Sequence, residues 1–267
     1  MTDGIARRPG TALITGASSG IGYELALVFA RNGYRLVVVA RDRVRLDSLA
    51  QTLQTRHGAS VVVLPHDLSR PSAPNDLMRD LANASVEVDV LVNNAGFGTH
   101  GPFAQSDMDA QLRMMQVNMA ALTHLTRLVL PGMLARRAGK ILNVASTAAF
   151  QPGPMMAVYY ASKAYVLSFS EALANELAGT GVSVTALCPG PTKTEFQARA
   201  NVGHTKMMSE RIMTAVDVAL AGYQGLMAGK TIVIPGARNK LIAFAVRLLP
   251  RALVRRAVRR IQDHRSA

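Results

Sequence analysis

Ala12-Leu13-Ile14-Thr15-Gly16-Ala17-Ser18-Ser19-Gly20-Ile21-Gly22 runs from a short apolar stretch into a glycine-rich turn. Residues 22–32 follow with apolar side chains at helical spacing and stop at Gly33. The reading is strand, tight turn, helix. Glycines at these spacings let the chain reverse sharply, bring backbone amides against an anion and seat the helix close on the sheet. The helix N-terminus adds a field that favours a pyrophosphate. A glycine turn alone is an ordinary turn; a strand before it and a helix after it make the dinucleotide reading.

Outward from this unit the pattern repeats. Leu36–Ala40, Val61–Leu64, Val88–Val92, Lys140–Val144, Val182–Leu187 and Thr231–Ile234 are further apolar runs, separated by segments long enough for helical crossovers. They lack alternation of polar and apolar residues, as expected of strands covered on both faces. The expected fold is therefore α/β: a Rossmann-like doubly wound parallel sheet in a three-layer α/β/α arrangement. Residues 1–236 read as one domain and residues 237–267 as a basic amphipathic extension. Ligands of such a sheet bind beyond the carboxyl ends of the strands, where the unusual residues of this chain cluster.

The end of the second run discriminates between nucleotides. An Asp or Glu there binds a ribose 2′-hydroxyl and repels a 2′-phosphate; this chain has Ala40 followed by Arg41. Guanidinium matches phosphate in charge and geometry, with Ser18 and Ser19 as additional donors, so NADP(H) is expected. A solvated start to the Arg41-Asp42-Arg43 stretch is the plainer alternative. Asp67, in His66-Asp67-Leu68, is placed either to accept from an adenine amino group or to cap a turn.

With Asn93-Asn94-Ala95-Gly96, Asn118, Ser146, Tyr159 with Lys163, and Pro189-Gly190-Pro191-Thr192-Lys193-Thr194, the chain resembles the short-chain dehydrogenase/reductase family over roughly residues 11–235. Tyr159 and Lys163 are four apart and share a helix face. An ammonium beside a phenol is expected to bring its pKa down toward the working range. Tyr160, three residues from Lys163, is also within reach; the family pattern, with three residues before the lysine, selects Tyr159. The resemblance implies that Ser146, thirteen residues earlier, holds the substrate oxygen, that Lys163 also holds the nicotinamide ribose, and that Asn118 positions a water behind the lysine. It implies cofactor contacts at Gly16, Ser18, Ser19, Gly20, Ile21, Gly22, Arg41, Asp67, Leu68, Asn94, Ala95, Gly96, Tyr159, Lys163, Pro189, Gly190, Thr192 and Thr194. Hydride transfer between NADP(H) and a carbonyl or alcohol is the implied chemistry. Family members are commonly dimers or tetramers through the helices holding Asn118 and Tyr159.

Phe97, the 150–156 segment with Met155 and Met156, and the loop from Pro191 to Ile212 with Met207 and Met208 are expected to wall an apolar substrate pocket, with Ser146 and Tyr159 at its base. No Arg or Lys is evidently placed for a substrate carboxylate, so a lipophilic ketone or aldehyde is expected, such as a 3-oxoacyl thioester or a sterol-like ketone. A non-catalytic NADP-sensing or scaffold protein on the same fold is the competing reading.

The single cysteine, Cys188, lies in an apolar run and reads as a buried small hydrophobe; one thiol makes no internal disulfide. The six histidines show no metal-ligand spacing. No signal peptide and no uncharged apolar run of about 18 residues is present, so a cytoplasmic protein is expected. Net charge is +13, yet eight Lys and Arg fall between Arg238 and Arg260 with no Asp or Glu among them. Without aromatic interleaving, this does not read as a nucleic-acid surface. Beyond Pro250, Leu253, Val254, Ala257, Val258 and Ile261 form an apolar stripe opposite Arg251, Arg255, Arg256, Arg259 and Arg260. Peripheral contact with an anionic membrane is one expectation for this stripe; docking on the domain itself, or packing in an oligomer, are the others.

Overall fold

Strands that are apolar on both faces must lie between helix layers, and the computed structural model, which describes residues 10–200 and 212–262, places them there. The strands are β1 (Thr11–Thr15), β2 (Arg35–Ala40), β3 (Val61–Pro65), β4 (Val90–Asn93), β5 (Gly139–Val144), β6 (Val182–Leu187), β7 (Thr192–Lys193), β8 (Met213–Thr214) and β9 (Ile232–Val233). Seven form one parallel sheet in the order β3-β2-β1-β4-β5-β6-β9, while β7 and β8 pair separately. The chain builds outward from β1 to β3, then returns to place β4 against the other side of β1. That reversal opens a crevice at the carboxyl ends of β1 and β4.

Side-chain alternation feeds two core layers. Ala12, Ile14, Leu36 and Val38 pack on one face with α1 (Gly20–Arg31), α2 (Arg43–His57) and α8 (Ala215–Met227). Leu13, Val37, Val39 and Leu91 pack on the other with α3 (Ala73–Asn83), α5 (Leu122–Ala135) and α6 (Ala157–Glu176). Between β4 and α5 the chain forms α4 (Met108–Met115) and then a π-helical turn, Gln116–Ala121. Short α7 (Phe196–Arg199) follows β7.

Two expectations shift at the edges. β4 starts at Val90 rather than Val88, because the Asp89 carboxylate turns back to accept from the Thr11 amide at 2.7 Å. The last strand is confined to Ile232–Val233. Past Gly236 (φ 85) the chain makes two helices, α9 (Ala237–Leu248) and α10 (Arg251–Gln262). Part of the apolar stripe of α10 is turned inward: Val254 and Val258 are buried with Met156, Tyr160 and Ala200, while Leu253 and Ile261 stay exposed. Of the three expectations for that stripe, docking on its own domain is the one observed. Cys188 is buried, and burial pushes its thiol up to about 12.

Candidate active site

The crevice is a cleft of about 1810 Å³ that runs from the glycine turn to α10. Its floor begins at Thr15. The Thr15 hydroxyl donates to the Val92 carbonyl at 3.2 Å and accepts from the Asn94 and Ala95 amides at 3.0 and 3.1 Å. Asn94 returns the contact, its amide donating to Thr15 O at 2.9 Å and Gly16 O at 3.1 Å. The turn after β1 and the turn after β4 are thereby locked together. Gly16 holds φ 65, a conformation that side chains disfavour, and the α-carbon of Gly22 faces Asn94 so closely that no Cβ fits. Ser19 precedes α1 without capping it through its side chain, and no acidic residue occupies the first turn, so the opening amides of α1 carry no local anion.

Gly16, Ser18, Ser19, Gly20 and Ile21 line this end of the cleft, as do Arg41, Asp67, Leu68, Asn94, Ala95 and Gly96. Gly22 lies behind them. Arg41 is exposed at the end of β2. One Asp67 oxygen caps the turn by accepting from Ser69 N at 3.0 Å, so the capping alternative is realised, with the residue still on the cleft wall. The donor set suits a phosphorylated dinucleotide: unsatisfied helix amides, small residues where a backbone must approach, hydroxyls and a guanidinium.

At the other end, α6 presents Tyr159 and Lys163 on one face. The Lys163 ammonium lies 5.8 Å from the Tyr159 ring centroid and donates to the Val144 carbonyl at 2.8 Å. Burial lowers it to about 8. Burial also raises the Tyr159 phenol above its ordinary value, with Tyr160 adding to the effect and a hydrogen bond with Ser146 opposing it. The expected lowering of the phenol by Lys163 is not what burial favours here: desolvation of the charged form is the largest influence on Tyr159. Ser146 begins the 3-10 turn Thr147–Phe150, its hydroxyl accepting from Ala148 N at 3.1 Å and donating to Pro189 O at 3.4 Å.

Asn118 sits in the π-helical turn, a distortion frequent at functional sites. Its amide donates to Phe97 O at 3.0 Å and Ser162 Oγ at 3.1 Å, and its oxygen accepts from Phe97 N at 3.1 Å. Both N–H groups are therefore used on the protein. The side chain thereby braces Phe97 and ties it to α6.

The two adjacent tyrosines separate clearly. Tyr160 is buried, and its hydroxyl accepts from Gln262 Nε2 at 2.8 Å, across 102 residues of sequence. The Gln262 carbonyl in turn meets His100 Nε2 at 3.0 Å. Val258 and Ile261 of α10 and Ile242 of α9 thus line the cleft with Phe97, Met156 and Tyr160. Met155 does not: its left-handed backbone (φ 70) and the Gly101 N–H donated to its carbonyl at 2.8 Å hold it in the turn before α6. Phe150 is likewise off the cleft, against the Arg247 guanidinium at 5.4 Å. Met207 and Met208 lie outside the described residues.

Pro189, Gly190, Thr192 and Thr194 line the cleft after β6. There the Gln197 side chain donates to Thr192 O and accepts from Thr194 N. Arg45 reaches Glu195 with both oxygens at 2.8 Å. Arg113, paired with Asp107 at 3.7 Å, and Arg238 also line the cleft. Gln197, Glu195, Arg113 and the α9–α10 wall carry no local signal; they reach the cleft only through the fold.

The model of the short chain dehydrogenase family matches residues 10–204. A short chain dehydrogenase of Pseudocercospora fijiensis is 37% identical over 190 residues, covering 70% of this chain and 61% of that protein. A very-long-chain 3-oxoacyl-CoA reductase of Phaeosphaeria nodorum is 37% identical over 180 residues, covering 65% and 52%. The chain thus spans less than two thirds of the length of either fungal relative. A solved short-chain dehydrogenase from Sphingobium yanoikuyae in complex with NADPH superposes with a TM-score of 0.80 at 36% identity, over 89% of this chain and 94% of that one.

Proposed function

Since the chain belongs to the short chain dehydrogenase family, we propose that it is an NADP(H)-dependent carbonyl reductase, equally an alcohol dehydrogenase in reverse, acting on a lipophilic ketone or aldehyde. The observation that carries this reading is Tyr159, with the Lys163 ammonium 5.8 Å from its ring centroid, in the same cleft as Ser146 and the glycine turn.

A bound NADPH supplies hydride to the carbonyl carbon. Gly16, Gly20 and the amides of α1 would hold the pyrophosphate, Arg41 and Ser18 the 2′-phosphate, and the loop from Pro189 to Thr194 the nicotinamide end. Ser146 orients the substrate oxygen. Tyr159, kept protonated by burial, gives its proton to that oxygen, and the Lys163 ammonium stabilises the phenolate left behind. Asn118 is a positioning residue that fixes Phe97. Apolar walls from Phe97, Met156, Ile242, Val258 and Ile261 favour a lipophilic body on the substrate, in keeping with the 3-oxoacyl-CoA reductase among the relatives. Exposed Leu112, Met115 and Tyr165 share a groove between α4 and α6, a surface suited to a second copy in a homo-oligomer.

NADPH oxidation against ketones and aldehydes of graded chain length tests the function, with NADH as control. Turnover should rise with chain length and favour NADPH. Arg41→Ala should lower kcat/KM for NADPH by about 10–100-fold, since a charge-assisted hydrogen bond contributes roughly 1.5–3 kcal/mol, and leave NADH use unchanged. A wild-type preference for NADH would refute the cofactor assignment, and no turnover with any carbonyl would refute the activity.

The pH profile follows from Lys163. Its ammonium is charged below about 8 and neutral above, while Tyr159, shifted upward, keeps its proton across that interval. For reduction, kcat/KM, which reports the free enzyme, should fall as pH rises through about 8. A level profile across that range would show that the lysine charge does not matter to the step.

A further inference from the structure

α9 leaves its apolar side in water. Leu241, Phe244 and Leu248 recur at i, i+3 and i+7, forming one row along the helix, and they are 68, 60 and 71% exposed. Leu249 and Leu253 continue the apolar surface past Pro250 and are also exposed. Only Ala243 of α9 is buried, on the side opposite this row. A monomer seldom leaves such a surface uncovered. The row on α9 is distinct from Val254 and Val258 of the α10 stripe, which are already spent on the domain.

The surroundings say what covers it. Lys240 flanks the row on α9, and Arg251, Arg255 and Arg256 are exposed on α10. Residues 237–262 contain no Asp or Glu. A second copy set face to face here would bring cations against cations with no carboxylate from either helix pair, a costly arrangement. An anionic lipid surface supplies both missing partners, acyl chains for the Leu and Phe row and phosphates for the guanidinium groups. Among the described residues no helix is long and apolar enough to cross a membrane, so the mode is a helix lying in the interface.

We propose that α9 and α10 dock the protein on anionic bilayers, with Leu241, Phe244 and Leu248 at the acyl boundary and the arginines among the headgroups. Because Ile242 and Ile261 of the same helices line the cleft, docking brings the cleft beside the lipid; that consequence rests on the lipophilic-substrate reading, whereas the docking does not.

The test is co-sedimentation of the full chain with vesicles of phosphatidylcholine containing roughly one-third phosphatidylglycerol, against pure phosphatidylcholine. The protein should pellet with the anionic vesicles alone. Phe244→Ser with Leu248→Ser, and separately Arg255→Glu with Arg256→Glu, should each lower partitioning about tenfold or more while circular dichroism and the melting temperature stay those of the parent. None of these four residues lines the cleft. Equal binding to neutral vesicles, or apolar variants that bind as the parent does, would overturn the proposal. So would variants that dissociate an oligomer without changing vesicle binding, or soluble polyglutamate competing fully for the protein in place of lipid. A chain that binds vesicles yet reduces no carbonyl would leave the docking standing and remove the proposed activity.

Discussion

Tyr159→Phe should lower kcat for carbonyl reduction by about 10²–10⁴-fold, the range for losing a positioned general acid, and leave NADPH affinity intact. The ring stays, with its packing against Phe196 at 5.3 Å between centroids, so only the proton donor is removed. Ser146 cannot replace it, because its hydroxyl is the group that holds the substrate oxygen in the proposed mechanism. Tyr160→Phe is the matching control. Its hydroxyl answers Gln262 and packs with α10, so the variant should retain most of its kcat and lose binding of bulky substrates instead. Steady-state turnover of both, with NADPH titrated by fluorescence, distinguishes the two tyrosines. Full activity in Tyr159→Phe would remove the acid from the mechanism.

Gly22→Ala should abolish tight NADPH binding and destabilise the fold. A Cβ at this position would sit 2.3 Å from Asn94 Nδ2 and 2.4 Å from the Gly16 carbonyl oxygen. The second of these is backbone within the turn itself, and the first is a side chain bonded to Thr15 O and Gly16 O. Relief requires α1 to tilt away from the sheet or Asn94 to release the turn, and either opens the pyrophosphate cradle. Overpacking of this kind costs about 1–3 kcal/mol or more, which in a protein of this size lowers Tm by roughly 2–4 °C per kcal/mol. A variant with the parental Tm and NADPH affinity would show that the close approach is not required.

Much of the architecture is written locally. Buried parallel strands leave continuous apolar runs, so the β1-turn-α1 unit and the parallel sheet followed from residues 12–22 and their repeats, whereas the strand order came from the structure. The turn-chemistry residues, Asn94, Ser146 and Pro189 to Thr194, were legible because each follows such a run. The pairing of Tyr159 with Lys163 was legible because four residues make one helical step. Met155 was misplaced because a left-handed turn interrupts the spacing just before α6.

The sequence by itself therefore determined a doubly wound sheet, a nucleotide cleft and an ordered set of polar residues around it. The tertiary structure alone decided that burial raises the Tyr159 phenol, that Asn118 braces Phe97, and that α10 closes the cleft through Gln262. The physical reason is range. Strand and turn propensities act between neighbours, whereas desolvation and the meeting of Gln262 with Tyr160 depend on which surfaces the completed fold presses together.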